Sequence, residues 1–78
     1  MPIVLRSNAF RIVILLPPRE HGPPHVHVRS PGGEVVIQLE PVHVRTVHRM
    51  RSVDVLNAVR LVESHLPHLL AEWRRYHG

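Results

Sequence analysis

The segment from His25 to Leu39 constrains the fold more tightly than any other part of the chain. His25-Val26-His27-Val28-Arg29 alternates polar and apolar side chains. Ser30-Pro31-Gly32-Gly33 is turn chemistry, and Glu34 to Leu39 places Val35, Ile37 and Leu39 on one side. Successive side chains of a strand point to opposite faces. Closing a hairpin on the four turn residues pairs Arg29 with Glu34, Val28 with Val35, His27 with Val36, Val26 with Ile37 and His25 with Gln38. Apolar then meets apolar on one face, and an Arg–Glu ion pair forms on the other. A slip of one residue would send every side chain to the wrong face, so the register is well specified. The valines are expected to point inward and the imidazoles of His25 and His27 outward.

The flanks of this hairpin read as follows. Within Pro2 to Leu16, Ile3 to Arg6 is a short β-prone run and Ser7-Asn8-Ala9 a turn, since asparagine tolerates positive φ. Phe10 to Leu16 sets Phe10, Ile12, Ile14 and Leu16 on one face and Arg11, Val13 and Leu15 on the other. Two apolar faces predict a central strand covered on both sides, or a dimer surface. Pro17 to Pro24 reads PPREHGPP. Its prolines exclude both helix and ladder, leaving a rigid extended loop. Val42 and Val44 make a short further strand after Pro41. Ser52 is placed to cap a helix, whose apolar stripe runs through Leu56, Val59, Val62, Leu66, Leu70, Trp73 and His77, with Leu69 and Tyr76 beside it. Pro67 lacks an N–H and crowds the preceding turn, so the helix is expected to kink or split there. Gly78 suits a C-terminal cap. The expected fold is therefore α+β: a small antiparallel sheet of four or five strands over about residues 2–45, followed by a helical region over about 52–77 packed on one sheet face. The whole chain, 1–78, makes one domain.

Composition narrows the function classes. The chain has 78 residues, no cysteine, eight histidines and ten Lys+Arg residues, all of them arginine. Lack of thiols excludes disulfide scaffolds, zinc–thiolate sites and iron–sulfur clusters. A core this small is marginal, which favours help from a partner chain, self-association or a metal. No run has the ~18 apolar residues of a membrane helix. The N-terminus lacks signal-peptide order, so a cytoplasmic location without membrane contact is expected. The net charge of +4 with neutral histidines rises to +12 if all eight are protonated. Guanidinium forks suit phosphate and carboxylate partners.

The strongest chemical constellation is Glu20-His21-Gly22-Pro23-Pro24-His25-Val26-His27-Val28. Residues two apart in a strand share a face, about 6.5–7 Å apart at their α-carbons, so His25 and His27 could converge on one divalent metal, zinc, nickel or iron(II). His21, Glu20 or His43 would complete the set. Alternatively one imidazole acts as acid or base while Arg29 or Arg19 stabilises an anion. The plain reading is a polar sheet face whose imidazoles hydrogen-bond Gln38 or loop carbonyls. His43, Arg45, His48, Arg49 and Arg51 form a basic cluster placed between the last strand and the helix, suited to phosphate. With only Phe10, Trp73 and Tyr76 as aromatics, base stacking is disfavoured and nucleic-acid contact would rest on phosphates. Trp73 and Tyr76 mark core or interface. No glycine-rich phosphate loop, nucleophile elbow or HExxH zinc motif is present.

These residues together resemble a family of small bacterial proteins known as domain of unknown function 4160. Met1 to Arg6, the segment Glu20 to Val28, and Ala71-Glu72-Trp73 with Tyr76 and Gly78 carry the resemblance. Departures are the aliphatic run Ile12 to Leu16, where relatives tend to carry aromatics, and Pro67 in the helical stretch. The resemblance implies two-gene cassettes with another small domain of unknown function, number 2442, and so a toxin–antitoxin-like pair; it implies no catalytic residue. Three readings follow. The leading one is a noncatalytic interaction module binding a partner protein, with Arg19, Glu20, His21, Arg49, Arg51, Trp73 and Tyr76 as contact candidates. The second is a metal- or histidine-dependent hydrolase or ribonuclease, with His25, His27 and Arg29 as catalytic candidates and His21, His25 and His27 as ligands. The third is a nucleic-acid binder that contacts phosphates.

Overall fold

The computed structural model of the chain describes residues 3–16 and 22–78. Arg19, Glu20 and His21, among the contact and metal candidates, lie outside the described residues. Among those described, five strands form one antiparallel sheet in chain order: β1 (Ile3–Ser7), β2 (Phe10–Val13), β3 (His25–Ser30), β4 (Gly33–Leu39) and β5 (Val42–His48). Two helices follow, α1 (Ser52–Ser64) and α2 (Leu66–His77).

The β3–β4 hairpin has the register that alternation dictates, from His25 opposite Gln38 to Arg29 opposite Glu34. Its turn tightens further. Ser30 pairs with Gly33, leaving Pro31 and Gly32 at the corner, with Gly32 at φ +81°. Proline presets φ at the first corner position and glycine takes positive φ at the second without a Cβ clash. Gly33 has a different reason to be glycine: the Arg49 carbonyl lies where a Cβ would stand.

The first hairpin is also tighter than its sequence reading. Ser7 pairs with Phe10, so the turn is Asn8-Ala9, and Asn8 sits at φ +53°. β2 is an interior strand, as its apolarity predicts, but it ends at Val13, short of the expected Leu16. Val13 faces Ile3 on β1 and His27 on β3, and both ladders end there. Ile14 remains fully buried, whereas Leu16 turns out to solvent at 41% exposure. β5 runs longer than expected, to His48, with an irregularity opposite Val36/Ile37. His43, Arg45 and His48 therefore belong to a strand. Only Arg49, Met50 and Arg51 connect it to α1, so the basic cluster is not the loop expected between strand and helix.

α1 starts at Ser52, and Arg51, with extended φ/ψ, is the N-cap residue. Ser52 is therefore the first helical residue and not the cap. No side chain caps the helix; instead Asp54 in its first turn accepts a hydrogen bond from Arg51 Nε at 3.2 Å. The break expected near Pro67 is a full split. His65 leaves helical geometry at φ −122° and ψ 20°, and Pro67 falls in the first turn of α2, where its missing N–H leaves no intrahelical bond unmade. Gly78, at φ +80°, closes α2 by donating its N–H to Arg74 O.

Both helices cover one sheet face. Ile12, Val26, Val28, Val35, Ile37 and Leu39 meet Ala58, Val62, Leu69 and Trp73 in one buried cluster. Full burial of each large side chain contributes about 1.5–3 kcal/mol. The helical stripe differs from its prediction at one position. Leu56 is 48% exposed and Ala58 points inward in its place, while Val62 is buried as predicted. Val55 and Val59 complete that face and pack against the cluster.

Candidate functional site

The histidine motif sits where β3 begins. Pro24 O accepts the N–H of Leu39 at 2.9 Å, tying the strand start to the end of β4. His25 Nδ1 donates to Pro23 O at 2.9 Å, which fixes the proton on that nitrogen. The side chain is buried, 3% exposed. This corrects the expectation of an outward-facing imidazole, because α2 brings Trp73 over this end of the strand. The His25 ring centroid lies 4.9 Å from that of Trp73 and 5.7 Å from that of His27. Trp73 in turn stacks on His77 at 3.7 Å and 8°. His77 Nε2 donates to Leu15 O at 2.8 Å, binding the end of α2 to the segment after β2. Trp73 is thus a core residue. Tyr76 is half-buried, with the Arg75 guanidinium 5.5 Å from its ring centre.

His27 and Arg29 converge on Glu34 across the hairpin. Arg29 Nε donates to Glu34 Oε2 at 2.7 Å, and His27 Nδ1 lies 3.4 Å from the same oxygen. Burial pushes the Glu34 carboxyl up. The hydrogen bond from Arg29 and the charges of His27 and Arg29 outweigh it, so the group sits below its ordinary 4.5. The rings of His25 and His27 are neighbours, 5.7 Å apart at their centroids, but it is His27 that reaches Glu34 while His25 packs against Trp73. Among the described residues no group of three or more His, Asp or Glu side chains is arranged to hold a metal ion. The expected third ligand, His21, lies outside them.

The other end of the sheet carries a cationic arrangement that no local motif announces. Arg6 stands directly opposite Arg11, Arg11 directly opposite Arg29, and Arg29 opposite Glu34, which faces His48. Directly opposed residues share a face, so this row crosses all five strands on the side away from the helices. The β1–β2 and β3–β4 turns lie at the same end. Between them and α1 opens a cleft of about 840 Å³, lined by Ser7, Asn8, Ser30, Arg51, Asn57 and Arg60 among others. Arg49 and Arg51, two of the contact candidates, are exposed here. A signal for the row existed in the sequence: Arg6 and Arg11 symmetrically flank Ser7 to Phe10, so any two-residue turn at Asn8-Ala9 sets them face to face.

No helix among the described residues is long and apolar enough to cross a membrane. No curated protein and no solved structure shows significant similarity to the chain. One family model does match, over residues 10–74, which spans β2 to α2 and includes the whole histidine motif. On that match the chain belongs to the family described as domain of unknown function DUF4160.

Proposed function

We propose that the chain is a noncatalytic interaction module that binds a partner protein along β5 and α1, as one member of a toxin–antitoxin-like pair. The supporting observation is an open sheet edge beside exposed apolar side chains. β5 is the last strand of the sheet, and its outer backbone edge has no partner among the described residues. Val47 on β5 is 48% exposed, and Val53 and Leu56 on α1 are 53% and 48% exposed. The two elements pack on each other. An unpaired edge is a template for a further strand, and apolar side chains beside it supply burial energy to a complementary surface. His43, Arg45 and His48 on β5 favour acidic residues in the partner strand. The pairing with a neighbouring small domain rests on the family resemblance.

Size-exclusion chromatography with light scattering tests the proposal on the chain alone and mixed with the product of the adjacent gene. A heavier joint species is expected, lost in Val53→Glu/Leu56→Glu. A strict monomer that ignores its neighbour's product counts against the reading. So does RNA hydrolysis that disappears in His25→Ala/His27→Ala.

A further inference from the structure

Among the described residues, the arginine end of the molecule gathers cations that its carboxylates neutralise only in part. Arg6, Arg11, Arg29, Arg49, Arg51 and Arg60 gather around the two turns, the β5–α1 connection and the cleft. Two carboxylates accompany them, and each is engaged: Glu34 by Arg29, Asp54 by Arg51. Among the described residues, Arg6, Arg11, Arg49 and Arg60 have no carboxylate within 4.0 Å. At the opposite end Arg74 meets Glu40 at 3.6 Å and Arg75 meets Glu72 at 3.7 Å. Like charges directly opposed on neighbouring strands are unfavourable. The Arg6–Arg11 pair therefore costs stability, and an anion laid between the two guanidiniums would remove that cost.

We infer that this end binds the phosphodiester backbone of a nucleic acid, which runs over the two turns from Arg6 and Arg11, on the sheet face away from the helices, to Arg60 in the cleft on the helix side. Three observations favour a polynucleotide over an acidic protein segment. Strand spacing of about 4.8 Å sets the Arg6, Arg11 and Arg29 positions over about 10 Å, a row of charge suited to a polyanion. None of the exposed large apolar side chains lines the cleft, and its larger apolar residues, Phe10 and Leu61, are half-buried, so it offers few of the anchors that a protein interface needs. The lining supplies instead hydroxyl and amide groups from Ser7, Asn8, Ser30 and Asn57, which are phosphate and sugar donors. With Phe10 as the cleft's aromatic residue, and half-buried, binding is to backbone and insensitive to base sequence. This activity goes beyond the partner-protein reading and uses different residues.

Fluorescence anisotropy on the full chain tests it, with labelled dT20, rU20, a 20-base-pair duplex and a 20-residue polyglutamate as probes. Three phosphate contacts on a single strand predict a log–log salt slope near −2.1, or about 18-fold weaker binding between 50 and 200 mM salt. Arg6→Gln/Arg11→Gln should flatten the slope by about 1.4, and Arg60→Gln by about 0.7. Arg74→Gln/Arg75→Gln removes the same charge from the other end and should leave the slope unchanged. Arg60→Gln carries the test by itself if the double variant fails to fold. Absence of binding to all three nucleic acids at 50 mM salt overturns the inference. Equal losses in the two double variants overturn it too, since attraction would then follow net charge alone. Tighter capture of polyglutamate than of any nucleic acid assigns the surface to an acidic protein instead. Val53→Glu/Leu56→Glu, which should abolish the protein complex, is expected to keep dT20 binding.

Discussion

The two ends of the sheet solve opposite problems. At the end where β3 starts, His25, Trp73 and His77 form a packed series, and each imidazole donates to a backbone carbonyl. The arginines nearby have carboxylate neighbours. At the turn end, three arginines stand in adjacent ladder positions, and four of the surrounding guanidiniums lack such neighbours among the described residues. The first end has the character of a core margin, where polar groups are satisfied and buried. The second holds like charges opposite one another at a cost to folding. The histidine-rich motif draws the eye in the sequence, yet its contacts are mainly those of packing. The dispersed arginines become a surface only when five strands align.

Truncating Trp73→Ala should have the largest effect on this contrast. It removes a 6%-exposed aromatic that touches both His25 and His77, and should cost about 3–5 kcal/mol. A domain of this length has roughly 4–12 kcal/mol in all, so urea denaturation should show a protein near its folding limit. A loss below about 1 kcal/mol would mean that this end is not packed as described.

His25→Ala should come next, at about 1–3 kcal/mol, because it leaves Pro23 O without its donor and opens a void beside Trp73. His27→Ala should cost less, its side chain being 12% exposed and beside a carboxylate that Arg29 still holds. The reverse order in chemical denaturation would make His27 the structural member of the pair.

Glu34→Gln should cost about 1 kcal/mol at pH 7, since solvent reaches nearly a third of the side chain and screens the pair. The sign of its pH dependence follows from the depressed folded-state value. Ionised Glu34 stabilises the fold above its ordinary 4.5, and that contribution fades as pH falls through the lower folded value. The gap in thermal midpoint between wild type and Glu34→Gln should therefore be open at pH 7 and narrow toward pH 3. A constant gap would show that packing, not charge, accounts for the loss.

The smallest effect is the most telling about the arginine end. Arg6→Glu replaces a like-charge pair by an opposite-charge pair facing Arg11, and should stabilise the protein by about 0.2–1 kcal/mol. Lower stability in that variant would mean that Arg6 serves the fold.

Local pattern carried much of the architecture. The β3–β4 register, the interior position of β2, the split at Pro67 and the Gly78 cap follow from alternation, turn chemistry and proline's missing N–H. These are short-range properties, legible without a partner element. Errors arose where a partner decides. β2 stops at Val13, where its pairing with Ile3 of β1 and with His27 of β3 ends. Leu56 faces solvent because the placement of α1 on the sheet selects Ala58 and Val62. His25 is buried because α2, far downstream in the chain, returns to lay Trp73 against it.

By itself, then, the sequence determined the α+β class, the hairpin pairing and the shared face of His25 and His27. Tertiary structure decided which of those faces sees water and which distant cations meet. The reason is physical: periodicity and backbone chemistry act over a few residues, whereas burial and charge proximity depend on what another element sets alongside.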